Sequence, residues 1–492
     1  MTRRDDIAGR GGTRALADSR AAADSPGHGE SPPRRRRLGF FAVCLGYCAI
    51  ILDGSVLNVA LPTIRHDLGH SMAAAQWVLS GYTLALSALL LTAGALGDRI
   101  GLRRMLLGGV ALFTVASAAC ASAPDIGALV AARVIQGVGA AALLPATLAV
   151  IPHLFTRSAD RARATVAWVA AGAISVAIGP LVGGVLIDAF GWRSIFLINL
   201  PIGLLSAALT WVSVPETERH RVPVDQAGQV TAAVALGLLA AGLILAGSAG
   251  WTAPATLGLL AGGVTAGAAF WLGEHRGRHP MLPPSFLRHR VRAVAVFSAG
   301  LMGFVFYGTL LVMSLYFQDI RGDSPAAAGA ALLPLTVGSI AAPLVLYRPL
   351  ARRFGHPVML TAGFTCCALG TIVLGWVGPQ TSYWLALAGL LLTGVASTVA
   401  FSALTSLLVA SVPPRQSGLG SGLQNTARQA GALFAVSLLG SVLNTALMAG
   451  RLPVAFTIIG LATAAGVALG LLALRHDAAG DGAEVAEPSR GR

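Results

Sequence analysis

In the stretch AIILDGSVLNVALP, residues 49–62, a single carboxylate, Asp53, stands among apolar side chains. An aspartate at the centre of a bilayer costs about 2.5–3.5 kcal/mol on insertion scales, so such an acid is a functional candidate by default. Desolvation favours the protonated carboxyl and a nearby arginine favours the carboxylate. An acid whose surroundings alternate between the two can therefore carry a proton. The competing reading is a permanently paired structural charge. The partner with the right chemistry is Arg133, in RVIQGVGAA, with Gln136 three residues on. At 1.5 Å per residue Asp53 lies roughly 18 Å from one end of its apolar run and Arg133 roughly 9 Å from the same side. The offset of about 9 Å leaves open a direct ion pair, a bridge through Gln136 or water, or an arginine snorkelling to the interface.

A second polar group, Gln424, Asn425, Arg428 and Gln429, interrupts a late apolar run. An arginine at that depth must face a cavity or a partner rather than lipid. Asn425, Arg428 and Gln429 are read as one wall of a central cavity, a structural polar knot being the alternative. Asn58, Tyr82, Tyr307 and Tyr316 are candidates for the remaining walls. Trp77, Trp192, Trp251, Trp376 and Trp384 fall near run ends, where interfacial anchoring is the simpler account.

These residues need apolar helices to hold them. The chain has 492 residues, 55% hydrophobic and 11% charged, with 60 glycines. Soluble domains carry about 25% charged residues, so the composition indicates an all-α membrane protein. Runs of about 20 apolar residues can be placed fourteen times between residues 38 and 474. All 35 basic residues are arginines; 29 fall in the tails and alternate gaps, four in the other gaps and two, Arg133 and Arg428, within runs. The positive-inside bias then puts both termini in the cytoplasm. The same distribution argues against nucleic acid despite a net charge of +14. The cysteines Cys44, Cys48, Cys120, Cys366 and Cys367 lie in apolar runs and read as packing residues. No metal site or cofactor is expected, and no nucleotide-binding loop occurs. Residues 1–37 and 475–492 are expected to be disordered cytoplasmic tails.

Two gaps eight runs apart, GALGDRIGLRRML and RPLARRFGHPVML, share arginines, a glycine and an apolar restart. The repeat implies two parallel six-helix halves, 38–214 and 293–474, with two extra helices in a linker at 215–292. With this pattern the chain resembles the major facilitator superfamily, specifically its fourteen-helix drug:proton antiporter branch, with methylenomycin-resistance-like exporters most similar. The resemblance rests on LDGSVLNVALPTI, the loop motif Gly94, Leu96, Asp98, Arg99, Gly101, Arg103 and Arg104, RVIQGVGAA, GPLVGGVL, WRSIFLINLPIG, GDSPAAAGAALLP and QNTARQAGAL. Leu102 stands where the loop motif often has a basic residue.

The resemblance implies proton-coupled export of small amphipathic molecules by alternating access. It assigns Asp53, Arg133 and Gln136 to proton coupling. The loop of Gly94, Gly97, Asp98, Arg99, Gly101, Arg103 and Arg104 becomes a cytoplasmic gate, and Gly179, Pro180, Gly183 and Gly184 an antiporter motif. The partners it implies are a small-molecule substrate, protons and the bilayer, with a monomer as the working unit. An uptake symporter of the same fold and a membrane sensor are the rival functions.

Overall fold

The computed structural model describes residues 33–485 except 70, 218, 220–224, 278–279, 343–345, 414–415 and 444–447. The first half comprises α1 (Pro33–Asp67), α2 (Met72–Ile100), α3 (Leu102–Ala121), α4 (Ile126–Ala149), α5 (Ser158–Phe190) and α6 (Asn199–Ser213). Next come α7 (Gln226–Ala249) and α8 (Pro254–Arg276). The second half holds α9 (Arg290–Leu315, prolonged by a π-turn at Tyr316–Ile320), α10 (Pro325–Ala331 and, after a one-residue break, Leu333–Ala342), α11 (His356–Gly375), α12 (Tyr383–Ser411), α13 (Ser417–Val442) and α14 (Met448–Val485). Side chains at helix starts accept the orphan amides: Ser71 from Ala74, Asp125 from Ala128 and Asp225 from Gly228.

Twelve helices among the described residues are long and apolar enough to cross a membrane. Two expected spans are not among the twelve. The apolar stretch of α10, Pro325–Ile340, is shorter than a span and ends close to residues 343–345, which lie outside the described residues. In α13 a helix of 26 residues is diluted by Gln424, Asn425, Arg428 and Gln429, the same side chains read as a cavity wall.

Both expected tails are shorter where they can be seen. Residues 33–37 are already helical, because Pro33 suits a first helical position and arginine propagates a helix nucleated by the span behind it. At the other end α14 continues to Val485. Residues 1–32 and 486–492 lie outside the described residues.

Helix partners repeat with an offset of eight. In the first half α1 packs on α5 and α6, α4 on α2 and α3, and α3 on α6; in the second α9 packs on α13 and α14, α12 on α10 and α11, and α11 on α14. The two sets meet along α2–α13, α5–α10 and α1–α9. The α5–α10 seam is close enough that a methyl group at Gly184 would overlap the Pro325 carbonyl, and one at Gly329 the Pro180 carbonyl. Helix α7 lies against α2 and α13, and α8 against α7. Only 11% of the apolar window of α8 is buried, against 61% for α2, so this pair is peripheral.

Successive helices alternate in direction, giving the bundle a terminal end, with Pro33 and Arg475, and a distal end, with Asp67 and Asp188. The halves are tied at the distal end. Arg65 pairs with Asp319 at 3.1 Å, and Asp188 accepts from the Ser324 hydroxyl at 2.8 Å and the Ala326 amide at 3.0 Å. Ser314 and Gln318 donate to the Asn58 and Val59 carbonyls at 2.8 and 2.9 Å.

Candidate functional site

The first polar constellation is built inside the first half. Arg133 Nη1 lies 2.6 Å from Asp53 Oδ2 and donates also to Gln136 Oε1 at 2.6 Å. Gln136 Nε2 donates to Asp53 Oδ1 at 3.0 Å and to Ser117 Oγ at 2.7 Å. Asn199 Nδ2 donates to the same Asp53 oxygen at 3.0 Å, and Arg133 Nε to the Val78 carbonyl at 3.1 Å. The Arg133 side chain is 0% exposed and that of Asp53 2%. Asp53 thus receives three donors plus a full positive charge in a site closed to solvent. Breaking such a pair from one side leaves an uncompensated buried charge, which costs about 3–5 kcal/mol.

The offset in depth between Asp53 and Arg133 does not prevent a direct pair. Helix rise fixes where Cα atoms sit, and the long arginine side chain covers the difference in level. It does not snorkel to the surface. Asn199 is the member that the sequence reading did not single out: it lies in WRSIFLINLPIG and starts a stripe with Gly203, Ser206, Thr210 and Ser213 at helical spacing, the face that α6 buries, with Ser206 donating to the Ala42 carbonyl of α1. Trp192, expected at the interface, is only 1% exposed and packs edge-on against Phe196.

Tyr82 joins this cluster to a cavity. The Arg133 guanidinium sits over its ring, 4.1 Å from the centroid, and Tyr82 also lines an opening between the halves. That opening is narrow, with about 40 Å³ of free room, and takes Asn58, Tyr82, Tyr307, Arg428 and Gln429 into its walls. Ile50, Ile51, Leu79, Leu86, Leu144 and Val436 supply much of the apolar remainder. Asn425 stands behind Arg428, its Oδ1 3.5 Å from Nη2, and is not a wall residue. Tyr316 is displaced from the expected set: its ring is fully buried in the second half, and its hydroxyl donates to the Gly378 carbonyl at 2.9 Å. Tyr316 is nine residues beyond Tyr307, about half a revolution further around a helix of ~3.6 residues per turn, so the register that turns Tyr307 to the cavity turns Tyr316 away from it.

The GDRIGLRR segment is a tighter turn than its charges indicate. Helix α2 runs through Asp98 and Arg99 to Ile100, Gly101 alone makes the turn at φ 94°, and α3 begins at Leu102. That φ lies in the region that favours glycine. The turn docks on the end of its own half: the Leu102 amide donates to Thr217 Oγ1 at 2.8 Å, Arg104 pairs with Glu216 at 3.4 Å, and Arg103 donates to the Trp211 carbonyl at 2.5 Å. Asp98 is exposed, and among the described residues nothing donates to it. Gly94 is half-buried and Gly97 buried beside Leu102. Gly179 and Gly183 lie against Ser55 and Val56 of α1, whereas Pro180 and Gly184 meet α10, so GPLVGGVL sits at the seam between the halves.

Two repeated sets of helices around a shared polar cavity define a two-lobed, multi-span membrane protein. The model of the Major Facilitator Superfamily matches residues 43–436, and the chain belongs to that family. It is 34% identical over 408 residues to the methylenomycin A resistance protein of Streptomyces coelicolor, covering 82% of this chain and 85% of that protein. It is 35% identical over 413 residues to the multidrug resistance protein Stp of Mycobacterium tuberculosis, covering 83% of this chain and 76% of Stp. Among solved structures, a peptide transporter POT in complex with sulfate matches with a TM-score of 0.65 at 16% identity, over 89% of this chain and 94% of that one. This last likeness is one of fold alone.

Proposed function

We propose that the chain is a transporter rather than an enzyme, and that it exports small amphipathic molecules across the cell membrane in exchange for protons. The names of its resistance and multidrug relatives support export. The observation that carries the coupling is the Asp53–Arg133 pair, 2.6 Å apart, closed to solvent and separated from the cavity by one tyrosine ring. In this reading fourteen helices span the bilayer, both termini are cytoplasmic, and the six-helix halves 38–214 and 293–474 work as a monomer around the linker 215–292. The distal ties between Arg65 and Asp319 and between Asp188 and Ser324 then hold the outer side shut.

When the halves rock apart at that end, Asp53 meets the outer aqueous phase and takes a proton. Neutral Asp53 releases part of its hold on Arg133, and the cavity closes toward the cytoplasm. Return to the inward state restores the ion pair and expels the proton inside. The energy is adequate: about 1.4 kcal/mol per pH unit and about 2.3 kcal/mol per 100 mV give a concentration ratio of roughly 500 for a neutral substrate at one proton per cycle.

Asp53→Asn keeps the shape but cannot release a proton, and it keeps one accepting oxygen where the carboxylate offers two to Arg133, Gln136 and Asn199. In reconstituted vesicles it should fold, lose uphill efflux and substrate-induced proton release, and still exchange substrate down its own gradient. Uphill pumping at the wild-type rate would place the coupling site elsewhere.

A further inference from the structure

We propose that the cavity selects amphipathic monoanions, with Arg428 binding the substrate's acidic group; this deepens the export reading and rests on it. Arg428 is the cavity's charged wall residue, and no carboxylate lines the space with it. Its partners are neutral and long: Tyr307 Oη at 3.2 Å from Nη1 and Asn425 Oδ1 at 3.5 Å from Nη2. Its Nε is buried with no partner at all. The nearest deep carboxylate, Asp53, is spoken for, because Arg133 neutralises it from the far side of the Tyr82 ring. Asp53, Arg133 and Arg428 together leave one uncompensated positive charge at the heart of the bundle.

With Nε unpartnered, the guanidinium edge can donate a forked pair of hydrogen bonds to the two oxygens of a carboxylate or a comparable oxyanion. Three further wall groups, each more than nine-tenths buried, also lack partners: Asn58 Oδ1, Tyr82 Oη and Gln429 Oε1. They offer hydrogen bonds to hydroxyl or amide groups elsewhere on the ligand. The aliphatic residues of the wall take its apolar body. A cationic amphipath meets the same walls and an unneutralised guanidinium, which acts as a repulsive selector. Exchange of one proton inward for one monoanion outward moves two charges, so such transport responds more steeply to an inside-negative potential than transport of a neutral molecule.

The test uses three probes of matched shape: 1-naphthylacetate, 1-naphthylacetamide and 2-(1-naphthyl)ethylamine. Equilibrium binding is measured to the full chain in lipid nanodiscs, with potential-driven uptake into vesicles that hold the protein inside-out. The carboxylate should bind about tenfold or more tighter than the amide and the amine, the worth of one charge-assisted pair. Arg428→Gln should collapse that ratio toward one. Gln429→Glu, which keeps side-chain shape and neutralises the arginine from within, should turn the preference to the amine. Should Arg428→Gln not fold, the Gln429→Glu reversal alone decides. Amine binding equal to or tighter than carboxylate binding in the wild type, or an unchanged order of preference in Gln429→Glu, would overturn the proposal. A protein that pumps the amine uphill and ignores the carboxylate keeps its export function and loses this selectivity, so the two readings fail separately.

Discussion

Two arginines lie deep in this bundle, and they lead opposite lives. Arg133 is 0% exposed and meets a carboxylate, an amide oxygen, a backbone carbonyl and the face of a tyrosine. Arg428 borders an opening and meets one phenol and one amide at the long end of hydrogen-bond range. Each guanidinium keeps one buried nitrogen without a partner, Arg133 Nη2 and Arg428 Nε, but the protein neutralises the charge of Arg133 with a carboxylate and gives Arg428 neutral partners. Burying a charge costs several kcal/mol unless it is paired, so Arg133 belongs to the bundle's own architecture while Arg428 awaits something that arrives. The division of labour follows the halves: the first holds a closed charge pair, the second presents an open charge.

The sharpest way to break this contrast is Arg133→Leu. It strands Asp53 as a lone buried carboxylate and should cost about 3–5 kcal/mol, seen as loss of the monodisperse peak after heating solubilised protein. Adding Asp53→Asn should restore most of that stability without restoring uphill transport. Recovery of neither would mean that the pair does not act as a unit. Next in size is Gly184→Leu at the α5–α10 seam. Overpacking there should cost about 1–3 kcal/mol and hold the halves apart at the distal end, read as faster labelling of a cysteine at position 324 in a cysteine-free background. Labelling no faster than in the parent would mean the seam yields without opening.

The smallest effect is expected from the distal ion pair. Arg65 and Asp319 are 29% and 18% exposed, and partly exposed pairs contribute about 0–1 kcal/mol. Asp319→Asn should therefore shift the inward–outward balance severalfold at most, measured by spin-label distances across the distal end. The swap of Arg65→Asp with Asp319→Arg should return it. A swap that fails to do so would remove the pair from the closing contacts.

Depth was legible in the sequence where partnership was not. Counting helix rise placed Asp53 and Arg133 well inside their runs, yet the reach of a guanidinium and the rotation of each helix decide whether they touch. Asn199 joins them from 146 residues away along the chain, on the face of α6 that also buries Gly203, Ser206, Thr210 and Ser213, a stripe of small and polar residues that the sequence does show. The distal ties are of the same kind: Arg65 and Asp319 belong to different halves, and only the packing of α1 on α9 brings them together. The turn at Gly101 was located but drawn too long, since charged residues read as loop when they can equally occupy the last turn of a helix. Depth alone makes Tyr316 a wall residue, whereas its helical position, about half a revolution from Tyr307, points it away from the cavity. By contrast, the pattern of gaps eight runs apart was visible early, because a repeat is written in the order of residues rather than in their contacts.

Tyr82 gives the arrangement an economy of distance. One face of its ring bears the guanidinium that holds the carboxylate proposed to carry the proton, and the same residue lines the proposed substrate cavity. News of occupancy has a single wall to cross. A pump relayed through a long chain of side chains would have many places to slip, passing protons without cargo or cargo without protons. Here slippage has essentially one address, and a ring that tilts by a few degrees is felt on both sides in the same instant.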